Sequence, residues 1–156
     1  MIEKVNILGS GESGVGAAVL AKLNNLDVCV YDRNSIKQQF REILNQYEIV
    51  FKEEQNINDL IQADVIVTSP GIPDDQKVVK QLREKKKRIL SEVEFAAQFT
   101  DSCIIAVTGT NGKTTTTKLI GHILQKAGKD VSIAGNIGNS FAFEVATNPQ
   151  PFYVVE

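Results

Sequence analysis

The stretch "AVTGTNGKTTTTKLIGHIL" (residues 106–124) joins an apolar strand, a loop with two glycines and a helix. The strict P-loop pattern G-x-x-x-x-G-K-[ST] requires glycine where the chain has Val107. The chemistry is retained, because loop amides can bind phosphate oxygens, Lys113 can contact the β and γ phosphates, and the Thr114 hydroxyl can bind Mg²⁺. We therefore predict an ATP-phosphate site made of Gly109, Thr110, Asn111, Gly112, Lys113, Thr114 and Thr115.

On either side of this stretch, short β-branched runs alternate with helical patterns. This alternation predicts an α/β fold with parallel sheets covered by helices. Ser91 and Glu94 form a capping-box pattern that predicts the start of a short helix. The predicted strands cover residues 4–8, 27–31, 48–51, 64–68, 88–90, 102–107, 130–133 and 152–156.

The pattern is interrupted near residues 97–101, and glycine loops of the phosphate-binding type lie on both sides of that break. We predict a Rossmann-like domain at residues 1–97, followed at 98–156 by the beginning of a P-loop ATPase-type α/β domain. The second domain looks truncated, because no covering helix follows its last predicted strand.

The composition excludes several classes of protein. With 17 basic and 19 acidic residues, the chain has no excess charge that would recruit nucleic acid or an anionic membrane surface. It has neither a signal-peptide pattern nor an apolar run of the roughly 18 residues needed to span a bilayer, so we expect a cytoplasmic protein. We also expect a monomer. Cys29 and Cys103 lie in apolar runs, and we predict that both are buried, reduced packing residues.

The first strand ends in "GSGESG" (residues 9–14), which matches G-x-G-x-x-G, and Asp32 closes the next strand. In this pattern the glycines allow a tight turn, close approach of a diphosphate and close helix packing, while the acidic residue can accept hydrogen bonds from a ribose. The loop therefore predicts a site for a ribose-linked diphosphate whose identity stays open. A glycine turn that only packs a helix on a strand is the alternative.

Three further segments follow predicted strands, where parallel sheets bind ligands. In "TSPGIP" (residues 68–73), Ser69 and Gly71 can line the same crevice, although the prolines can equally serve to end the strand. In "AGNIGNS" (residues 134–140), Asn136 can contact a substrate, or the segment is simply a helix-entry turn. Glu156 follows "FYVV" and is a candidate to share Mg²⁺ with the P-loop.

Taken together, "GSGESG", "TSPGIP", "SEVEF", "GTNGKTT", "GNIG" and "FYVVE" resemble the Mur ligases of bacterial cell-wall synthesis, in particular those that add D-glutamate to UDP-N-acetylmuramoyl-L-alanine. The resemblance implies an ATP-dependent amide ligase of three domains. Such an enzyme transfers the γ-phosphoryl group of ATP to the L-alanyl carboxylate, and the amine of D-glutamate then attacks the acyl phosphate. The chain would be an N-terminal portion, inactive alone.

The resemblance also implies roles for individual residues. Lys113 and Asn136 would act in catalysis, and Thr114 with Glu156 would bind Mg²⁺. The chain departs from the better-known members at Glu12 and Arg33, and an acid at position 12 would repel a diphosphate unless it points to solvent or to the uracil. The residues implied for the UDP precursor are Gly11, Glu12, Ser13, Gly14, Asp32, Arg33, Ser69, Pro70, Gly71 and Asn136.

Two other classes stay open at this point. One is a nicotinamide-dependent oxidoreductase that uses "GSGESG", and the other is a non-catalytic nucleotide-binding module. The oxidoreductase gives no reason for the P-loop-like segment at residues 109–115.

Overall fold

A computed structural model describes residues 2–156, and the chain forms two parallel sheets within that range. The first has the strand order β3-β2-β1-β4-β5 and the second has the order β6-β8-β7. The predicted α/β fold class is confirmed, and all eight predicted strands form. They are β1 (Lys4–Leu8), β2 (Asp27–Tyr31), β3 (Val50–Lys52), β4 (Val65–Thr68), β5 (Arg88–Ser91), β6 (Cys103–Ala106), β7 (Val131–Ala134) and β8 (Phe152–Val155).

Helices fill most of the gaps between strands. The predicted capping box forms, since the Ser91 hydroxyl accepts from the Glu94 amide at 3.2 Å and the Glu94 carboxylate accepts from the Ser91 amide at 2.8 Å. The helices are α1 (Glu12–Leu23), α2 (Gln38–Gln46), α3 (Ile57–Leu60), α4 (Lys77–Glu84), α5 (Glu92–Ala96), α6 (Lys113–Lys126) and α7 (Phe141–Thr147), and a short 3₁₀ turn covers Ala97–Phe99.

The order of the first sheet creates a crevice at its carboxyl edge. Strand β1 pairs with β2 on one side and with β4 on the other, so the direction of the chain crossovers reverses at β1. In open α/β sheets ligands bind at such a reversal. The loops after β1, β2 and β4, which contain "GSGESG", Asp32 and "TSPGIP", therefore meet there.

Helix α1 packs against elements that belong to both sheets. Its residues from Gly14 to Ala21 are buried, and it packs against α7, which follows the second sheet's strand β7. The contact is close because Gly16 has no side chain: a Cβ atom there would lie 2.0 Å from the Ser140 hydroxyl. A single apolar cluster includes Val19 of α1 and Tyr153 of β8, so the two sheets share one core.

The prediction that both cysteines are buried is wrong for Cys103, which is exposed, while Cys29 is half-buried. Cys103 belongs to β6, an edge strand of the small second sheet that packs mainly against β8. An apolar run predicts burial only where a neighbouring layer covers the strand. Within residues 2–156, no helix is both long enough and apolar enough to cross a bilayer.

Candidate functional site

Three segments meet at the carboxyl edge of the second sheet. The P-loop-like segment follows β6, Glu156 directly follows the central strand β8, and the loop with Asn136 follows β7. Because the strands are parallel, their carboxyl ends lie at the same edge. The sheet therefore brings together three of the residue sets that the sequence predicted.

The P-loop-like segment presents free backbone amides. Gly109 and Gly112 have φ angles of 147° and 76°, in the left-handed region that favours glycine, and Gly112 caps the 14-residue helix α6. Among the described residues, no protein acceptor is bonded to the amides of residues 109–115. Free amides at a helix N-terminus attract anions through their dipoles. The segment can therefore bind phosphate oxygens.

Lys113 lies over this loop, where its ammonium group donates to the Gly109 carbonyl at 2.8 Å. The next side chain, Thr114, donates from its hydroxyl to the Glu156 carboxylate, also at 2.8 Å. A hydroxyl and a carboxylate are hard oxygen ligands of the kind that Mg²⁺ prefers, and Mg²⁺ usually binds through one or two carboxylates while keeping several waters. Thr114 and Glu156 therefore fit Mg²⁺.

The loop after β7 is built tightly against Glu156. Gly135 has a φ angle of 107°, and a Cβ atom there would lie 2.5 Å from the Glu156 carbonyl oxygen. The Gly135 amide donates to the Asn139 carbonyl at 3.0 Å, and the Asn139 side chain donates to the buried Glu144 carboxylate at 2.6 Å. Asn136 is thus carried at the exposed tip of a loop that is held at both ends.

The first glycine loop has the close packing that its pattern predicts. A Cβ atom at Gly14 would lie only 1.9 Å from the Gly9 carbonyl oxygen, so only glycine fits there. Gly9 has a φ of 94°, and its carbonyl accepts from the Ser69 hydroxyl at 3.4 Å. Within residues 2–156, the amides of residues 11–14 donate to no protein acceptor. Free amides at the N-terminus of α1 can attract an anion, as those of the P-loop-like segment can.

Asp32 is largely engaged by the protein itself. Its carboxylate accepts from the amide and hydroxyl of Ser10 at 2.8 and 2.7 Å, and from the amide of Asn34 at 2.9 Å. Partial burial alone would raise the pKa of Asp32, but these bonds hold its pKa below the usual range. A carboxylate has about four acceptor positions. Asp32 therefore mainly stabilises the glycine loop, and few of its acceptor positions remain free to bind a ribose hydroxyl.

A cleft of about 360 Å³ unites the first glycine loop with the loops after β2 and β4. Nine of the ten residues predicted for the UDP precursor line it, and Gly14 is the exception because it lies beneath the loop. Asn136 also lines this cleft although it belongs to the second sheet. Gly9, Ser10 and Ile72 also line the cleft and belong to the predicted motifs "GSGESG" and "TSPGIP", although they were not among the residues implied for the precursor. The sequence analysis missed three further lining residues, which belong to no motif: Asn34, Gln55 and Gln76.

This geometry agrees with comparisons to known families. Residues 3–91 match the family model "Mur ligase MurD-like, N-terminal domain", and residues 107–152 match "Mur ligase middle domain". The chain belongs to the Mur ligase family. The resemblance that the sequence motifs indicated is thereby confirmed.

Two similar relatives are named UDP-N-acetylmuramoylalanine–D-glutamate ligase. The Bacteroides fragilis protein is 45% identical over 156 residues, a match that covers 99% of this chain and 35% of the relative. The Porphyromonas gingivalis protein is 48% identical over 151 residues, covering 96% and 34%. The chain therefore spans about a third of the length of these relatives.

Solved structures agree in fold. The UDP-N-acetylmuramate:L-alanyl-gamma-D-glutamyl-meso-diaminopimelate ligase from Neisseria meningitides matches with a TM-score of 0.65 at 22% identity, over 100% of this chain and 52% of that one. The UDP-N-acetylmuramate-alanine ligase from Thermotoga maritima matches with a TM-score of 0.59 at 19% identity, over 99% and 37%. At these identities the matches support the architecture only.

Proposed function

We propose that the chain is the N-terminal part of an ATP-dependent ligase that adds D-glutamate to UDP-N-acetylmuramoyl-L-alanine in peptidoglycan synthesis. Residues 1–97 would form the domain that binds the UDP precursor, and residues 98–156 would begin the ATP-binding central domain. The main support is the contact of Thr114 with Glu156 beside a glycine loop with free amides. The names of the Bacteroides fragilis and Porphyromonas gingivalis relatives support the choice of amino acid.

The P-loop residues would bind the phosphates of ATP. Lys113 would exchange the Gly109 carbonyl for a phosphate oxygen, which is a stronger acceptor because it is charged. The γ-phosphoryl group would then pass to the L-alanyl carboxylate with release of ADP, and the amine of D-glutamate would attack the acyl phosphate to form the amide, with release of inorganic phosphate and a proton. Phosphoryl transfer depends mostly on positioning and on neutralising charge, so a lysine and aligned amides suit it without a covalent nucleophile.

Thr114 and Glu156 would hold Mg²⁺, which would supply positive charge to neutralise the phosphates. Asn136 would orient the substrate, because its amide can both donate and accept a hydrogen bond. Its position supports this role, since its loop packs on the backbone of Glu156 while its side chain lines the precursor cleft. In this proposal Asn136 would adjoin both ligands.

The UDP diphosphate would lie on the free amides at the start of α1, with Arg33 adding positive charge in the same cleft. Glu12 lines this cleft but is exposed, so its carboxylate can remain in solvent, away from the diphosphate. Because ATP and UDP-linked precursors are soluble cellular metabolites, we also propose a cytoplasmic location. The complete activity is proposed for a longer protein, and we expect these 156 residues to bind the precursor without forming the amide.

Calorimetric titration tests the proposal. The chain should bind UDP-N-acetylmuramoyl-L-alanine and, separately, Mg²⁺ with a non-hydrolysable ATP analogue. Lys113→Ala should abolish binding of the nucleotide triphosphate and leave precursor binding nearly unchanged, while Lys118→Ala, an exposed lysine of the same helix, should change neither. Micromolar binding of NADH without saturable binding of UDP would instead support an oxidoreductase.

A further inference from the structure

Glu92 is a buried acid that the proposed reaction does not use. It opens α5, directly after the first sheet, and is 3% exposed. Its carboxylate accepts from the amide of Ala142 at 2.5 Å, fifty positions along the chain in α7. Burial raises the pKa of Glu92 to about 7; the Ala142 amide opposes the rise and Glu12 adds to it. Burying a carboxyl group without a hydrogen-bond partner is costly, so the bond from the Ala142 amide helps to stabilise Glu92 in this position.

The partner helix α7 continues directly from the loop that carries Asn136. Ser140 caps α7 by accepting from the Phe143 amide at 3.3 Å, and its hydroxyl occupies the space left by Gly16 of α1. Ala142 is two residues further on and is bonded to Glu92. The first turn of α7 is therefore held from two sides by elements of the first sheet, only four positions after Asn136.

We propose that Glu92 is a positioning residue that fixes Asn136 in the precursor cleft by fastening the first turn of α7. The other end of the Asn136 loop is held within the second sheet, by Gly135 against Glu156. Within residues 2–156, the Glu92–Ala142 bond is the hydrogen bond that ties this loop to the sheet forming the rest of the cleft. Only the test by ligand binding rests on the proposed function; the positioning itself can be tested without a ligand.

Glu12 of α1 is the charged group that acts on Glu92. Four other charged residues lie on α5 or on the elements packed against it, and each is hydrogen-bonded to a group other than Glu92. Lys22 donates to the backbone carbonyl of Glu48, Arg88 donates to Gln98, Glu94 accepts from Ser91, and Glu144 accepts from Ser132, Asn139 and Asn148. Loss of the pH effect in Glu92→Gln therefore assigns that effect to Glu92.

Nuclear magnetic resonance on the ¹⁵N-labelled chain tests the positioning without any ligand. The Ala142 amide proton should shift with pH with a midpoint near 7, and the side-chain amide signals of Asn136 should follow the same curve. Both curves should be flat in Glu92→Gln and unchanged in Glu84→Gln, an exposed acid of α4. Asn136 signals that coincide in wild type, Glu92→Gln and Glu92→Ala at every pH would overturn the proposal.

Affinities for UDP-N-acetylmuramoyl-L-alanine and for Mg²⁺-ADP separate positioning from a general loss of structure. Glu92→Ala should weaken precursor binding about two- to tenfold, the effect of one hydrogen bond, and leave Mg²⁺-ADP binding unchanged. Glu92→Gln should restore much of the loss, since its amide oxygen can still accept from Ala142. An equal loss of both ligands would contradict the proposal. If the wild type does not bind the precursor, the proposed function fails while the Asn136 signals still decide the role of Glu92.

Discussion

The free energy of unfolding should depend on pH through Glu92. Its pKa is about 7 in the folded chain, against an ordinary value of 4.5 that applies once the chain unfolds. The two values differ by about 2.5, which corresponds to about 3 kcal/mol at 1.36 kcal/mol for each pH unit. Because the folded pKa is the higher one, this stability is fully present below pH 4.5 and is lost as the pH rises through 7.

Urea unfolding at pH 5 and pH 8, followed by circular dichroism because the chain has no tryptophan, measures this loss. Glu92→Gln should be more stable relative to wild type at pH 8 than at pH 5, by about 2 to 3 kcal/mol. Any fixed cost of burying the glutamine amide cancels between the two conditions. Glu84→Gln should follow the wild type. A difference between Glu92→Gln and wild type that is the same at both pH values would refute the reasoning.

Three further predictions concern the two glycine loops and use five substitutions. Gly14→Ala should destabilise the chain by at least about 2 kcal/mol in thermal denaturation, because its methyl group meets the Gly9 carbonyl, whereas Gly11→Ala has open space and should cost much less. Asp32→Asn should lower UDP affinity by loosening the glycine loop and leave Mg²⁺-ADP affinity unchanged, measured by calorimetry. Thr114→Val should remove the Mg²⁺ dependence of ADP binding and Thr114→Ser should retain it; equal behaviour of the two would contradict the metal assignment.

Features that depend on short-range sequence were predictable. The eight strands follow from apolar runs separated by turn residues, and the capping box at Ser91 needs only residues three positions apart. The need for glycine at position 14 is also local, since the clashing carbonyl belongs to Gly9 in the same loop. These features depend on residues only a few positions apart, so the local sequence pattern is enough to predict them.

Features that depend on packing between distant segments were not predictable. Periodicity and spacing do not show that Asn136, which only the family resemblance grouped with the precursor residues, reaches a cleft of the other sheet, or that Glu92 is buried against α7. Asp32 matched a ribose-binding pattern, yet the neighbouring Ser10 occupies much of its carboxylate. Cys103 lies in an apolar run but on an uncovered edge strand. In each case the outcome depends on which element lies alongside, which periodicity does not specify.

The order β6-β8-β7 also sets a distance. Adjacent strands are about 4.8 Å apart, so the ends of the two outer strands are separated by about 10 Å with Glu156 between them. The loops after β6 and β7, for which we propose phosphate binding and substrate contact, therefore start from strand ends about 10 Å apart. Replacing a side chain removes a ligand without altering that separation; only a different strand order would change it.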